Sequence, residues 1–169
     1  MDLCDPFSVI KASLDLEVED LDSPSENELV VRYAQACGVN SAKIGRLLPG
    51  TKNRVPGGQK GIEGFLNETP ISVKDLPSKS FQNIADTLAT NNHKIGGTDY
   101  QGAVIVVRTR SLTQAQWLKH EEAAAIATNT KILDGTIVSK LAVLTSDGQW
   151  MWATAAKTKW KDNNGCGPL

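Results

Sequence analysis

Five basic residues and no acidic residue lie between positions 40 and 61. They are Lys43, Arg46, Lys52, Arg54 and Lys60. Lysine and arginine side chains neutralise phosphates and release their counterions, so this cluster predicts salt-dependent binding of nucleic acid. The glycines and prolines that follow would let a basic loop track a nucleic-acid backbone. The alternative is a solvated loop that follows a structural pair of helices.

Two further groups of residues could extend such a surface. Arg108 and Arg110 alternate around Thr109 at the end of an apolar run, so they share one face of a predicted strand. Trp150 and Trp152 also share a strand face, where tryptophan either stacks on nucleic-acid bases or fills the core. Plain solvation is the competing interpretation for the arginines.

Residues 29–56 predict two short helices joined by a glycine turn. Gly38 supplies the backbone conformation that ends a helix, and apolar residues flank it at helical spacing. These apolar residues are Leu29, Val30, Tyr33, Ala34 and Cys37 before the turn, and Ile44, Leu47 and Leu48 after it.

This layout resembles the helix-turn-helix of repressor-type DNA-binding proteins. Ala34 stands where the first helix must pass close to the second, and Gly38 and Val39 form the turn. The resemblance implies that Ile44 and Leu47 are buried residues of a recognition helix. It covers about 20 residues and implies a DNA partner.

The second half of the chain predicts strands and helices in alternation. The apolar stripe of residues 80–91 predicts a helix ended by Gly96 and Gly97, and the β-branched run 103–107 predicts a strand covered on both faces. A capping box at Ser111 and Gln114 predicts one helix over 112–128. Residues 136–145 and 149–156 predict a hairpin through an Asp-Gly turn.

Charge is distributed unevenly along the 169 residues, although the formal net charge is −1. Residues 1–30 carry nine acids and one base, a balance of −8, which leaves 17 bases and 10 acids, or +7, in the rest of the chain. The acidic segment could compete with phosphate for the basic surface, or it could be a solvated helix and linker.

The composition predicts an intracellular protein. The start of the chain lacks the basic segment of a signal peptide, and no apolar run is long enough to cross a membrane. Three cysteines without paired spacing predict free thiols in a reducing compartment, with Cys37 as a small core residue. His120 and His93 lack partners at metal-ligand spacing, so we expect no catalytic residue, metal or cofactor.

Together these patterns predict an α+β fold with a helical N-terminal half and a small C-terminal sheet. We expect an acidic segment at 1–22, a helical nucleic-acid-binding region at 23–68, an α+β region at 69–161 and a flexible tail at 162–169.

The predicted function is non-enzymatic binding of DNA or RNA by a regulatory or nucleoprotein-associated protein that forms homo-oligomers. The alternative is a self-assembling viral structural protein, such as a matrix or coat-associated protein, with nonspecific contact to RNA or to a membrane surface.

Overall fold

The computed structural model describes residues 15–18, 24–38, 41–44, 62–66, 69–156, 159–162 and 165–167. Side chains are described for these residues except 15–18, 24–27 and 41–44. The helices are α1 (Pro24–Ala36), α2 (Phe81–Gly96), α3 (Gln114–Lys119) and α4 (Glu121–Thr128). The strands are β1 (Asp15–Val18), β2 (Ser41–Ile44), β3 (Gly64–Leu66), β4 (Thr69–Leu76), β5 (Ala103–Thr109), β6 (Val138–Leu144) and β7 (Trp150–Thr154).

All of these strands belong to one sheet, in the spatial order β1 to β7. Strands β4, β5 and β6 are parallel, and helices α2, α3 and α4 form the connections between them. β3 and β7 run antiparallel to their neighbours in this parallel centre. The fold is therefore mixed α+β, as the helices and strands expected from the sequence predicted.

Helices cover both faces of the sheet, and β5 shows why. Ala103, Ile105 and Val107 pack with α2, α3 and α4, whereas Val104 and Val106 pack with α1. Because successive side chains of a strand point to opposite faces, an unbroken apolar run is required where both faces are covered. The prediction of a doubly covered central strand is confirmed. We call the two sides of the sheet the α1 face and the α2 face.

The first predicted helix is confirmed and the second is not. Leu29, Val30, Tyr33 and Ala34 of α1 are all fully buried, as their helical spacing predicted. After the turn, however, Ser41–Ile44 forms strand β2, which pairs with β1 and β3. Four residues are too few for apolar spacing to distinguish helix from strand, and pairing with distant strands decided the outcome. The described residues therefore do not support a helical N-terminal half.

The helices of the second half follow their local sequence with two corrections. Helix α2 begins after Ser80 and ends at Gly96, at the glycine pair that was predicted to end it. The single helix predicted over 112–128 is divided at His120 into α3 and α4. The capping box that starts α3 is formed by Thr113 and Gln116 and not by Ser111 and Gln114.

The predicted hairpin of β6 and β7 is confirmed, but the C-terminal segment departs from prediction. Cys37 and Cys166 form a disulfide, so the expectation of free thiols is wrong for this pair. The two cysteines are 129 positions apart in the sequence, and no rule based on the spacing of cysteines predicts such a pair. The inference of a reducing compartment from cysteine usage loses its basis, since disulfides persist in oxidising environments.

Residues 165–167, expected in a flexible tail, pack against the α1 face. Cys166 is buried there, and Gly167 lies against the ring of Trp152. Gly167 has a φ of +66°, and a Cβ at this position would overlap that ring. This segment therefore requires glycine at position 167 both for its backbone conformation and for its packing.

We predict that Gly167→Ala lowers the free energy of unfolding by about 3 kcal/mol, because backbone strain and overlap with Trp152 act together. Gly148→Ala is the matched control. Gly148 has a φ of +78° and open space around it, so alanine there should cost about 1 kcal/mol. Urea denaturation measures both. Equal losses in the two variants would contradict the described packing of residues 165–167.

Lys140 is buried on the α1 face, with only 2% of its surface exposed. Burial lowers the pKa of its ammonium group to about 8, whereas an unfolded lysine keeps its proton up to about pH 10. Between pH 8 and 10 the unfolded chain therefore binds more protons than the folded chain. Stability must rise with pH in that window.

We predict a rise of about 2 kcal/mol in the free energy of unfolding between pH 8 and 10. Above pH 10 the gain reverses, because burial raises the pKa of Tyr33 and its ionisation in the unfolded chain opposes folding. Chemical denaturation at several pH values measures the rise. Lys140→Met should abolish it, and a rise that persists in this variant would show that another group titrates.

Among the described residues, no helix combines the length and the apolar character needed to cross a lipid bilayer.

Candidate nucleic-acid interface

Four side chains form a row across the α1 face near the carboxyl ends of the parallel strands. Asp75 of β4 is the register partner of Arg108 in β5, which is the partner of Leu144 in β6. Leu144 in turn is the partner of Trp150 in β7. In open sheets of this kind, ligands bind in crevices at the carboxyl ends of the strands. The row is therefore placed where an α/β fold most often builds a binding site.

Helix α1 lies above this row and contributes charged groups. Arg32 pairs with Glu28 one turn earlier, with 2.9 Å between Arg32 Nη2 and Glu28 Oε1. Glu28 Oε2 lies 3.8 Å from Arg108 Nη2. The Glu28 carboxylate thus connects an arginine of the helix with an arginine of the sheet.

A second ion pair stands at the end of the row. Arg110 donates two hydrogen bonds to Asp75, of 2.8 Å from Nε and 2.6 Å from Nη2. The hydrogen bond from Arg110 lowers the pKa of Asp75, and the charge of Arg108 also favours the ionised carboxylate. Arg110 nevertheless remains 51% exposed. The described cluster contains three arginines and two carboxylates.

A crevice of about 390 Å³ opens between α1 and the β6–β7 hairpin. Its walls are Arg32, Gln35, Ala36, Leu144, Gly148, Trp150 and Gly165. Trp150 is half-buried, and its ring contacts Tyr33 with 5.6 Å between centroids. The crevice therefore joins an aromatic surface to a guanidinium group, next to Arg108 of the row.

A larger cavity of about 530 Å³ lies at the amino ends of the strands, lined by residues that include Asn92, His93 and Lys131. The cavity is lined by the C-terminal turn of α2, which includes the exposed His93, and by Lys131; the helix dipole disfavours anions at this end of α2. The crevice on the α1 face is the better candidate for binding a phosphate-bearing ligand.

The structure brings together only part of the predicted basic surface. Arg108 and Arg110 lie in the cluster, both on the α1 face, as the alternation around Thr109 predicted. Lys43 belongs to strand β2, but its side chain lies outside the described residues. The predicted contacts Arg46, Lys52, Arg54 and Lys60 also lie outside them.

The two strand tryptophans have different environments. Trp152 is buried against Gly167, whereas Trp150 reaches the crevice. Trp160 donates a hydrogen bond of 2.8 Å to the carbonyl of Ala123 and packs edge-on against Trp117. These contacts give Trp160 a structural role in holding residues 159–162 to α4.

Sequence patterns missed Arg32 and Gln35 as members of the site. Their spacing on α1 predicts the exposed side of an amphipathic helix and nothing more. The missing information is which strand this helix covers, and that depends on contacts between distant parts of the chain.

No family model matches this chain, and comparisons with curated proteins and with solved structures found no match. Across the residues that the structure describes, no group of three or more histidine, cysteine or acidic side chains could hold a metal ion.

Proposed function

We propose that this protein binds single-stranded nucleic acid, without catalysis, through the crevice on the α1 face. The observation that carries the proposal is the presence of Trp150 and Arg32 in the walls of one crevice. Tryptophan offers a surface on which an unpaired base can stack, and guanidinium groups bind phosphates in a bidentate manner.

The arginines retain capacity for a ligand although they are paired. A guanidinium group has five N–H donors, and Arg110 uses two of them on Asp75. Arg32 is 42% exposed and is paired with a carboxylate of its own helix. Exposed ion pairs of this kind contribute only about 0–1 kcal/mol, so phosphate can compete with the carboxylates. Glu28 and Asp75 orient the guanidinium groups in the absence of ligand.

The shape of the crevice favours a single strand. Stacking on Trp150 requires a base that has left its own helix, and such bases occur in loops, ends and unpaired strands. A duplex hides the faces of its bases and could reach only the arginines of the cluster. The protein should therefore prefer single-stranded oligonucleotides to duplexes of the same length.

The first test is a salt titration of binding to a fluorescent single-stranded oligonucleotide. Contacts from Arg32, Arg108 and Arg110 predict a slope of about −2 for log affinity against log salt, at about −0.7 per contact. Arg110→Gln should reduce that slope by about 0.7. A slope near −5 would indicate that the basic residues between 40 and 61 contribute as well.

Lys119→Gln is the matched control, because Lys119 is an exposed residue of α3 on the opposite side of the sheet. It removes the same charge and should leave the slope unchanged. No binding at 50 mM salt, or equal effects of the two glutamine variants, would contradict the proposal.

A further inference from the structure

The two sulfurs of the disulfide between Cys37 and Cys166 have different polar neighbours. Lys140 Nζ donates a hydrogen bond of 2.7 Å to the carbonyl of Cys166 and stands 3.8 Å from Cys166 Sγ. The hydroxyl of Tyr33 lies 3.8 Å from the same sulfur. An ammonium group and a phenol thus face Cys166.

A bulge in strand β6 aims Lys140 at this position. The neighbours Ala103 and Val104 of β5 pair with Val138 and Lys140, so one additional residue is inserted in β6. As a result Val138 packs on the α2 face, whereas Lys140 reaches the α1 face. Bulges commonly redirect a side chain in this way beside functional sites.

The two cysteines also differ in their exposure to solvent, and here Cys37 is the more accessible. Cys166 is buried, with 7% of its surface exposed, and residues 165–167 lie over the α1 face. Cys37 is half-buried and follows the last residue of α1, next to the exposed Gly38. A small reagent from solvent therefore reaches Cys37 more easily than Cys166.

We propose that Cys37 is a site of modification by small thiols, and that Lys140 assists the reaction by stabilising the departing sulfur of Cys166. In the first step a thiolate such as that of glutathione attacks Cys37 Sγ. The new S–S bond joins the small thiol to Cys37, the bond between Cys37 and Cys166 breaks, and its electron pair leaves on Cys166 as a thiolate beside the Lys140 ammonium.

A second molecule of the small thiol completes the reduction. Its thiolate attacks the sulfur that came from the first molecule, which forms the oxidised small-thiol dimer and releases Cys37 as a thiolate. Two small thiols are oxidised and one protein disulfide is reduced. The preference for Cys37 follows from access and from the leaving group, because a stabilised thiolate leaves faster.

The test uses the full chain with Cys4→Ser, so that Cys37 and Cys166 are the two cysteines that remain. The protein is treated with reduced glutathione, quenched with acid, digested and examined by mass spectrometry. Glutathione is expected on Cys37 in large excess over Cys166. An adduct found mainly on Cys166, or two free thiols in protein purified without reductant, would overturn the proposal. This measurement locates the attacked sulfur in protein that retains Lys140, so it does not depend on how a variant at that position folds.

The role of Lys140 is tested by the rate of reduction. Lys140→Met should slow the first step about tenfold, because the Cys166 thiolate loses its neighbouring charge and becomes a poorer leaving group. Lys140→Arg keeps the charge and should restore most of the rate. Lys131→Met, an exposed lysine on α4's side of the sheet, is the control. A wild-type rate in Lys140→Met would overturn the assigned role, whatever ligand the crevice binds.

Discussion

Removal of the disulfide is expected to lower the free energy of unfolding by about 4 kcal/mol. The change is the double variant Cys37→Ser and Cys166→Ala. The bond closes a loop with a sequence separation of 129 residues, and the entropy that a crosslink removes from the unfolded chain increases with loop length. Urea denaturation without reductant measures the loss. A domain of this size has about 5–15 kcal/mol of stability, so the effect is a large share of the total.

One comparison separates the disulfide from the substitutions. Wild-type protein unfolded in the presence of dithiothreitol should lose a similar amount. A difference below about 1 kcal/mol between wild-type protein and the double variant would contradict the described bond.

Loss of the aromatic and cationic contacts together is expected to weaken binding of single-stranded oligonucleotides about 100-fold. The double variant is Arg110→Gln with Trp150→Leu. A base stacked on an aromatic ring contributes about 1–3 kcal/mol and a charge-assisted hydrogen bond about 1.5–3 kcal/mol, so a combined loss near 3 kcal/mol is expected. Leucine keeps an apolar side chain against Tyr33, which preserves the packing of α1.

Fluorescence anisotropy at constant salt measures the change in affinity. The control combines Lys119→Gln with Leu118→Ala, two exposed positions of α3 on the other side of the sheet. It should bind within about twofold of wild-type protein. Thermal unfolding of each variant shows whether the fold is retained. A folded crevice variant that binds as tightly as its control would exclude the crevice as the binding surface.

Local sequence patterns predicted the elements whose information is local. Helix α2 has its apolar stripe and its N-cap serine within one segment, and the hairpin of β6 and β7 has its turn residues between its strands. The run 103–107 specified burial on both faces without reference to any partner. These predictions succeeded because each rule uses residues that are close along the chain.

The errors arose where distant partners decide the structure. Ser41–Ile44 is a strand because β1 and β3 offer backbone hydrogen bonds on both sides, and neither partner is visible in the segment. Likewise, no spacing rule pairs Cys37 with Cys166. The register that places Arg108 between Asp75 and Leu144 is a property of the assembled sheet. The composition of the candidate site could therefore be predicted only in part.

The proposed site differs from the sequence prediction in its location. The sequence favoured the basic residues between 40 and 61, whereas the described geometry favours the α1 face with Arg32, Arg108 and Trp150. The two surfaces make different demands on a ligand. The crevice requires an unpaired base, whereas a basic loop requires only phosphates.

Photo-crosslinking tests the central claim most directly. A single-stranded oligonucleotide that contains 5-iodouracil is bound to the protein at low salt, and the complex is irradiated. The protein is then digested with a protease, and the crosslinked peptide is sequenced by mass spectrometry. Stacking in the crevice predicts a crosslink to Trp150, lost in Trp150→Leu. Crosslinks confined to residues 40–61, with Trp150 unmodified, would contradict binding at the crevice.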